Sequence, residues 1–327
     1  VGSEMCIRDR NEAVEKAKKA DYVIYVGGLN KNHTQDCEGG DREHYQLPFG
    51  QDRLITELLA VNSNTVLVIV SGNAYEMPWI DKTPALVQSW YLGSEAGHAL
   101  ADIISGDVCP SGKLPFSIAY QLTDYPAHKM GAVGYPGVSP DKLPQPFGGE
   151  EGKPMTSARL LKAAVEGWKG INFCDEPGNG SMKDETEIYG EDILLGYRWF
   201  DYFKTKVRFP FGFGLSYTTF SYGKPTISGR TVSVSVRNSG KVLGQEVVQF
   251  YVGDDKASVI RPMKELKHFE KVALAPGETK LISYTIDDDD LKFFDEEKHE
   301  WVAEPGTFTV YVGASAADIH GKVKFNY

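Results

Sequence analysis

The sequence predicts an α/β domain built on a mostly parallel sheet, followed by an all-β domain. In the first part of the chain, short runs rich in β-branched residues alternate with helices that carry an apolar stripe. In the last third, strand patterns recur at short intervals between turns that contain Gly, Pro or Asn. A length of 327 residues is sufficient for two domains of ordinary size.

The α/β part has three predicted buried strands, at 22–27, 65–70 and 85–90, and two clear helices, at 51–61 and 94–105. Apolar strands separated by helices are typical of a parallel sheet that helices cover on both faces. An open doubly wound sheet usually has about five or six strands. We therefore expect a truncated α/β sandwich that lacks its first strands.

These patterns divide the chain into four segments. Residues 1–10 have neither an apolar signal sequence nor any periodicity, and we interpret them as unplaced, an artefact at the start of the sequence. Residues 11–125 are assigned to the α/β domain, beginning with a short charged helix. Residues 126–212 are punctuated by Gly and Pro, and we expect linker and loops that pack on that domain, with one short helix at 160–168. Residues 213–327 have the short alternating strands of an antiparallel β-sandwich.

Charge and composition exclude several classes of protein. The net charge of −10 disfavours nucleic acid or an anionic membrane as a partner, because either would need a basic face. The longest apolar runs are too short to span a bilayer.

The four cysteines, at 6, 37, 109 and 174, show neither a zinc spacing nor a disulfide framework. The run Asp287–Asp290 is interpreted as a solvated loop, since it lacks a calcium-loop pattern. We predict no metal site.

The loop after the first strand carries the residues best suited to chemistry. It contains the carboxylates Asp36, Glu38 and Asp41, followed by Arg42. Open α/β sheets bind ligands at the carboxyl ends of their strands, and crowded carboxylates suit a general acid. The same residues also fit a plain polar surface loop with an internal ion pair, and the pattern alone does not decide between the two. A G-x-S-x-G elbow, a P-loop and an H-E-x-x-H motif are all absent from the sequence.

Several segments in order resemble glycoside hydrolase family 3, the β-glucosidase and β-xylosidase family. They include Glu-Gly-Gly-Asp-Arg at 38–42 and Trp-Tyr-Leu-Gly at 90–93. The matching segments are 21–29, 38–42, 47–48, 65–72, 77–79, 89–97, 106–115, 189–201 and 209–220. One departure is Asp192, which stands where the Tyr-x-Glu-Gly motif usually has Gly, and 131–180 matches nothing we can assign.

The resemblance implies specific roles for the loop. Glu38 matches the general acid/base of the family, with Asp36 as the fallback. Four residues are implied to bind substrate or to anchor the loop, namely Asp41, Arg42, Trp90 and Tyr91. Trp90 and Tyr91 follow a buried strand and fit core packing about equally well. The family's nucleophile is an Asp on a preceding (β/α)8 barrel that this sequence lacks.

The implied protein is therefore a C-terminal fragment of a retaining β-glycosidase, inactive by itself, whose last domain is similar to fibronectin type III. Its partners would be a β-linked oligosaccharide or glycoside and the missing barrel of the same protein. β-Glucosides are the first choice of substrate and β-xylosides the second, and no cofactor is expected. A periplasmic or extracellular location is expected. The alternative is a non-catalytic carbohydrate-binding or adhesion module, and a third reading is a structural scaffold.

Overall fold

The computed structural model describes residues 7–32, 35–37, 42, 44–135, 137–138, 161–162, 165–166 and 188–327. These residues form two units. The first contains the described residues up to Asp107 together with Ala119–Leu122, and the second contains Val108–Ile118 and Thr123–Tyr327. Residues 108–118, which the sequence places in the α/β domain, thus lie in the second unit.

The first unit contains a parallel sheet of three strands, as the sequence predicts. The strands are β1 (Val23–Gly28), β2 (Thr65–Val70) and β3 (Ala85–Gln88), and β2 lies in the middle. Along β2, Leu67, Val68 and Ile69 are fully buried. Consecutive strand residues point to opposite faces, so both faces of the sheet are covered at its centre.

The prediction that the first strand is buried on both faces is wrong. Tyr25 is buried, but Ile24 and Val26 on the opposite face are 53% and 61% exposed, and Tyr22 just before the strand is also exposed. Within the described part of the chain, β1 pairs only with β2 and no element covers this face. Ile24 and Val26 therefore lie on a face of the sheet that no described residue covers.

Helices of the first unit are α1 (Ile7–Ala17), α2 (Gln51–Val61) and α3 (Ala96–Ser105). Residues 7–10, which the sequence places outside the fold, form the start of α1. Arg10 is buried, and its Nε lies 3.1 Å from Oε2 of Glu57 on α2. The interpretation of residues 1–10 as unplaced is therefore wrong for residues 7–10.

The second unit is dominated by a β-sandwich, as the sequence predicts. Its strands are β6 (Phe220–Tyr222), β7 (Thr226–Ser228), β8 (Thr231–Asn238), β9 (Gly244–Asp254), β10 (Glu265–Leu274), β11 (Thr279–Thr285), β14 (Thr307–Gly313) and β15 (Ile319–Asn326). One antiparallel sheet has the order β10–β9–β14–β15, and the other has the order β11–β8–β6, with β7 also paired to β8. Fifteen buried apolar side chains from these strands and the adjoining loops form one core between the two sheets.

Shorter elements complete the described part of the chain. They are β4 (Ile118–Ala119), α4 (Pro126–Lys129), α5 (Tyr197–Tyr202), β5 (Val207–Phe209), the hairpin β12 (Phe293–Asp295) and β13 (Glu300–Val302), and the 3-10 turns Ile80–Lys82, Leu122–Asp124, Gly131–Val133 and Asp192–Leu194. The predicted helix at 160–168 falls largely outside the described residues.

The short helix α5 is fastened to the first residues of β10 by polar contacts. The Tyr197 hydroxyl accepts a hydrogen bond of 2.8 Å from the backbone N–H of Leu266. Arg198 lies 3.3 Å from Glu265, and Lys264 donates to Asp201. The segment that leads into the sandwich is thus part of the same unit.

The sequence misses the last strand, β15, because Gly321 interrupts the apolar alternation of Ile319, Val323 and Phe325. A side chain at Gly321 would lie 2.4 Å from Cδ of Pro225. Glycine is required by this close approach, although it lowers the strand propensity of the segment.

Asp192 is the residue that stands where the family's Tyr-x-Glu-Gly motif usually has Gly. Its backbone has φ 47°, in the left-handed region that favours glycine. Its neighbour Glu191 is buried, and burial raises the pKa of the Glu191 carboxyl, with the charge of Asp192 raising it further. Asp192 therefore carries a backbone cost and an electrostatic cost together.

Replacing Asp192 with Gly should stabilise the protein by about 0.5–1 kcal/mol, because the relief of left-handed strain exceeds the extra chain entropy of glycine. Urea denaturation measures the effect. The control is Asp192→Asn, which removes the charge but keeps a side chain, and it should give a smaller gain. A loss of stability in the glycine variant would contradict the strain at this position.

Candidate active site

The turns that follow the three parallel strands meet at one edge of the sheet, where open α/β sheets bind ligands. After β1 the chain enters the loop at 29–49, which contains Asp36 and Arg42 and is called the acidic loop below. After β2 the chain makes the turn Ser71–Ala74. After β3 come Trp90 and Tyr91. Because the strands are parallel, their carboxyl ends lie side by side, and this edge brings several of the predicted site residues together.

Asp36 joins these three turns through its carboxylate. Oδ2 accepts hydrogen bonds from the backbone N–H of Gly72 and from the hydroxyl of Tyr91, each at 2.7 Å. Oδ1 accepts a hydrogen bond of 2.5 Å from Nδ2 of Asn73. A carboxylate engaged by three donors is suited to fixing a loop, since hydrogen bonds to a charged acceptor are the stronger kind.

Arg42 forms a second anchor on the same turn. Its Nη2 donates a hydrogen bond of 2.5 Å to the carbonyl oxygen of Ala74, and its guanidinium lies over the ring of Tyr45 at 5.9 Å. The backbone N–H of Glu76 donates to the carbonyl oxygen of Tyr45 at 2.9 Å. The end of the acidic loop therefore lies along the chain that follows β2.

Glu38 and Asp41 lie outside the described residues. The residues on either side of them, Asp36 and Arg42, are both bound to the turn Ser71–Ala74. The predicted anchoring role of Arg42 thus has a contact behind it, although its described partner is a backbone carbonyl.

Trp90 and Tyr91 line the same edge in different ways. Trp90 is half-buried and has φ 52°, a conformation that bulky side chains rarely adopt and that often occurs at functional sites. Tyr91 is half-exposed, and burial raises the pKa of its hydroxyl, with the hydrogen bond to Asp36 adding to the shift. Tyr91 is therefore a hydrogen-bond donor at neutral pH.

Gln51, at the start of α2, holds the beginning of the acidic loop. Its Oε1 accepts hydrogen bonds from the Tyr25 hydroxyl at 2.8 Å and from the Gly28 N–H at 2.7 Å. Its Nε2 donates to the carbonyl oxygens of Gly28 and Pro48. A side chain at Gly27 would meet Tyr25 and Gln51 at under 3 Å, so glycine is needed where this amide enters.

Asp52, next to Gln51, binds the indole of Trp79. Its Oδ1 accepts a hydrogen bond of 2.8 Å from Trp79 Nε1, and its Oδ2 accepts one of 3.2 Å from the Leu47 N–H. Burial raises the pKa of Asp52, and the Trp79 hydrogen bond opposes that shift. Trp79 is 2% exposed, which is consistent with a packing role.

Sequence reasoning missed Gly72, Asn73 and Gln51 as supports of the loop. Gly72 and Asn73 follow the clearest buried strand in the chain, and a polar turn at the carboxyl end of a central strand is a usable signal. Gln51 gives no such signal, because its role depends on the amide reaching back to β1.

Among the described residues, no group of three or more His, Cys, Asp or Glu side chains is placed to hold a metal ion. None of the described helices has both the length and the apolar character that a membrane span needs.

Two protein-family models match the chain, one in each of its two parts. The family model described as the glycosyl hydrolase family 3 C-terminal domain matches residues 7–217, and the one described as the fibronectin type III-like domain matches residues 246–316. These two matches define the class of protein: a glycosyl hydrolase C-terminal domain followed by a fibronectin type III-like domain. The chain belongs to glycosyl hydrolase family 3.

Similar proteins are β-glucosidases that are much longer than this chain. The β-glucosidase BoGH3A of Bacteroides ovatus is 50% identical over 326 residues, covering 97% of this chain and 38% of that protein. A β-glucosidase of Kluyveromyces marxianus is 38% identical over 313 residues, covering 94% of this chain and 31% of that protein. The chain thus spans about a third of the length of these relatives.

Solved structures show the same relation. The Kluyveromyces marxianus β-glucosidase in complex with glucose has a TM-score of 0.77 at 36% identity, covering 98% of this chain and 33% of that one. The family 3 β-glucosidase of Bifidobacterium adolescentis has a TM-score of 0.76 at 33% identity, covering 98% of this chain and 41% of that one.

The Asp36 anchor can be tested by a double-mutant cycle in urea denaturation. Tyr91→Phe removes one donor and should cost about 1 kcal/mol, while Asp36→Asn disturbs three hydrogen bonds and should cost about 1–3 kcal/mol. The double variant should cost less than the sum, because the two residues share a bond. The control is Asp21→Asn, an exposed carboxylate of the same unit, and it should be near neutral. Strict additivity of Asp36→Asn and Tyr91→Phe would contradict the anchor.

Proposed function

We propose that this chain is the C-terminal part of a retaining β-glycosidase and supplies its general acid/base, Glu38. The substrate would be a terminal, non-reducing β-linked sugar, with β-glucosides first and β-xylosides second. The observation that carries the proposal is the pair of anchors, Asp36 and Arg42, which fasten the stretch containing Glu38 to the carboxyl edge of the sheet.

The contacts of Asp36 favour Glu38 over Asp36 as the acid/base. A general acid must direct an O–H toward the leaving oxygen of the substrate. Both oxygens of Asp36 already accept hydrogen bonds from Gly72, Asn73 and Tyr91. Asp36 is thus better placed to hold the loop, and its neighbour two positions along is left for proton transfer.

The proposed chemistry has two steps. Glu38 first protonates the glycosidic oxygen while an Asp carboxylate of the barrel attacks the anomeric carbon, giving a glycosyl-enzyme and releasing the aglycone. Glu38, now ionised, then takes a proton from water, which attacks the anomeric carbon and frees the Asp. Retention requires the two carboxyl groups to lie about 5–5.5 Å apart.

Support for a preceding domain comes from the open face of β1. Ile24 and Val26 would be costly to leave in water, and exposed apolar patches commonly mark surfaces that another domain covers. The relatives named above are about three times as long as this chain. We propose that the barrel half of the same protein supplies both the nucleophile and the missing part of the sheet. A periplasmic or extracellular location remains a prediction.

Glu38→Gln in the full-length protein tests the acid/base role. Hydrolysis of aryl β-glucosides with poor leaving groups should fall by about 100-fold or more, because departure of the aglycone then lacks a proton. Activated aryl glucosides should be less affected, and added azide should restore part of their turnover by replacing water as the nucleophile. Steady-state kinetics with a leaving-group series measures both effects.

The matched comparison is Asp36→Asn. It should lower the rate for all leaving groups alike and show no azide rescue, because it displaces the loop instead of removing the proton donor. Azide rescue of Asp36→Asn together with normal kinetics of Glu38→Gln would reverse the assignment.

Mixing the 327-residue chain with the separately produced barrel half tests the partner. The chain alone should hydrolyse nothing, and the mixture should regain activity. Ile24→Lys should weaken this complementation by at least about tenfold, because an ammonium group would be buried on an apolar surface. The control is Leu281→Lys, an exposed apolar position on β11 of the sandwich.

Failure of two folded halves to regain any activity would favour the alternative, a non-catalytic carbohydrate-binding module. Equal weakening by Ile24→Lys and Leu281→Lys would contradict the location of the contact on β1.

A further inference from the structure

A cavity of about 510 Å³ lies in the second unit, and all of its lining residues belong to that unit. Its wall includes Lys204 after α5, Lys264 before β10, and His320 and Lys322 on β15. One carboxylate, Asp201, also lines it. A volume of this size suits a small molecule such as a monosaccharide derivative.

Two of the three lysines that line this wall have no ion-pair partner among the described residues. Asp201 is bound by Lys264. Lys204 and Lys322 form no ion pair within the described part of the chain. Asp255 interacts electrostatically with Lys322 but forms its ion pair, of 2.6 Å, with Lys324. Lys204 and Lys322 therefore have no carboxylate bound at ion-pair distance among the described residues, in a chain whose net charge is −10.

The backbone is unusual at two points of the wall. Lys204 has φ 53° and follows the end of α5, at the position where helices usually end in Gly. On β15, Gly313 pairs with Ile319 and Val312 pairs with Gly321, so His320 is the extra residue of a β-bulge. Bulges and left-handed residues redirect side chains, and both are frequent beside functional sites.

His320 is held in place by its neighbours. Its ring stacks on Tyr222 with 4.0 Å between centroids and 3° between planes. Its Nε2 lies 3.5 Å from Asp318, which does not line the cavity. With the ring fixed and Gly321 packed against Pro225, this side of the cavity is already formed before any ligand binds.

We propose that this cavity binds a small organic anion, a carboxylate or phosphate carried on a sugar-sized body. Lys204 and Lys322 would bind the charged group, since ammonium groups without partners favour carboxylate and phosphate oxygens. Met263, Tyr311 and Ile319, which also line the cavity, offer apolar contact to the body of the ligand. The cavity shares no lining residue with the proposed acid/base loop, and the proposal does not depend on that loop.

Isothermal titration calorimetry of the 327-residue chain with D-glucuronate, inorganic phosphate and D-glucose tests the site. At least one of the two anions should bind with a dissociation constant in the millimolar range, and glucose should not. Binding of glucuronate alone identifies a sugar carboxylate as the ligand class, and binding of phosphate alone identifies a phosphate. Raising the ionic strength should weaken the binding, because the site is open to solvent.

Two variants locate the binding. Lys322→Gln and Lys204→Gly should each weaken it by about threefold to tenfold, as expected for one partly exposed charged contact. Lys204→Gly should also keep or raise the stability of the fold, because it removes left-handed strain. The control is Lys271→Gln, which makes the same charge change at an exposed lysine on β10 outside the cavity, and it should bind as the parent does.

Three results would overturn the proposal. They are the absence of binding by either anion, equal binding of glucose, and a loss of affinity in Lys271→Gln as large as that in Lys322→Gln. Thermal melts of each variant check that it remains folded.

Discussion

The candidate site depends on the hydrogen bonds that the carboxylate of Asp36 accepts. This carboxylate is a single acceptor group shared by donors from two turns, the one after β2 and the one after β3. The bond from Arg42 to Ala74 and the backbone bond between Tyr45 and Glu76 also join this loop to the chain that follows β2. A charged acceptor suits this role, because one carboxylate can take several hydrogen bonds where a neutral amide or hydroxyl takes fewer.

Much of the fold could be predicted from the sequence, because its strands differ clearly from its turns in composition. The strands at 65–70 and 231–238 were recognisable from β-branched runs bounded by polar residues. The exposure of Ile24 was not, since an apolar run looks the same whether this chain or another segment covers it. The last strand was hidden by Gly321, which packing against Pro225 requires.

The candidate site was predictable in its location and less so in its contacts. The loop followed from the position of carboxylates after a buried strand, and Arg42 was expected to anchor it. The partners of Asp36 were not, because hydrogen bonds between residues 36 and 91 leave no local pattern in a single sequence. Glu38 is assigned by resemblance, and the three hydrogen bonds of Asp36 support the proposal that it anchors the loop.

The open face of β1 has a consequence for how the chain behaves in solution. Within the described residues, one side of this strand offers unpaired backbone N–H and C=O groups, and its exposed face offers Ile24 and Val26. An uncovered edge strand with apolar side chains is a template for pairing with another strand. A second copy of the chain can supply that strand, as another domain can. Production of this chain by itself therefore favours self-association that begins at residues 23–28 and grows with protein concentration.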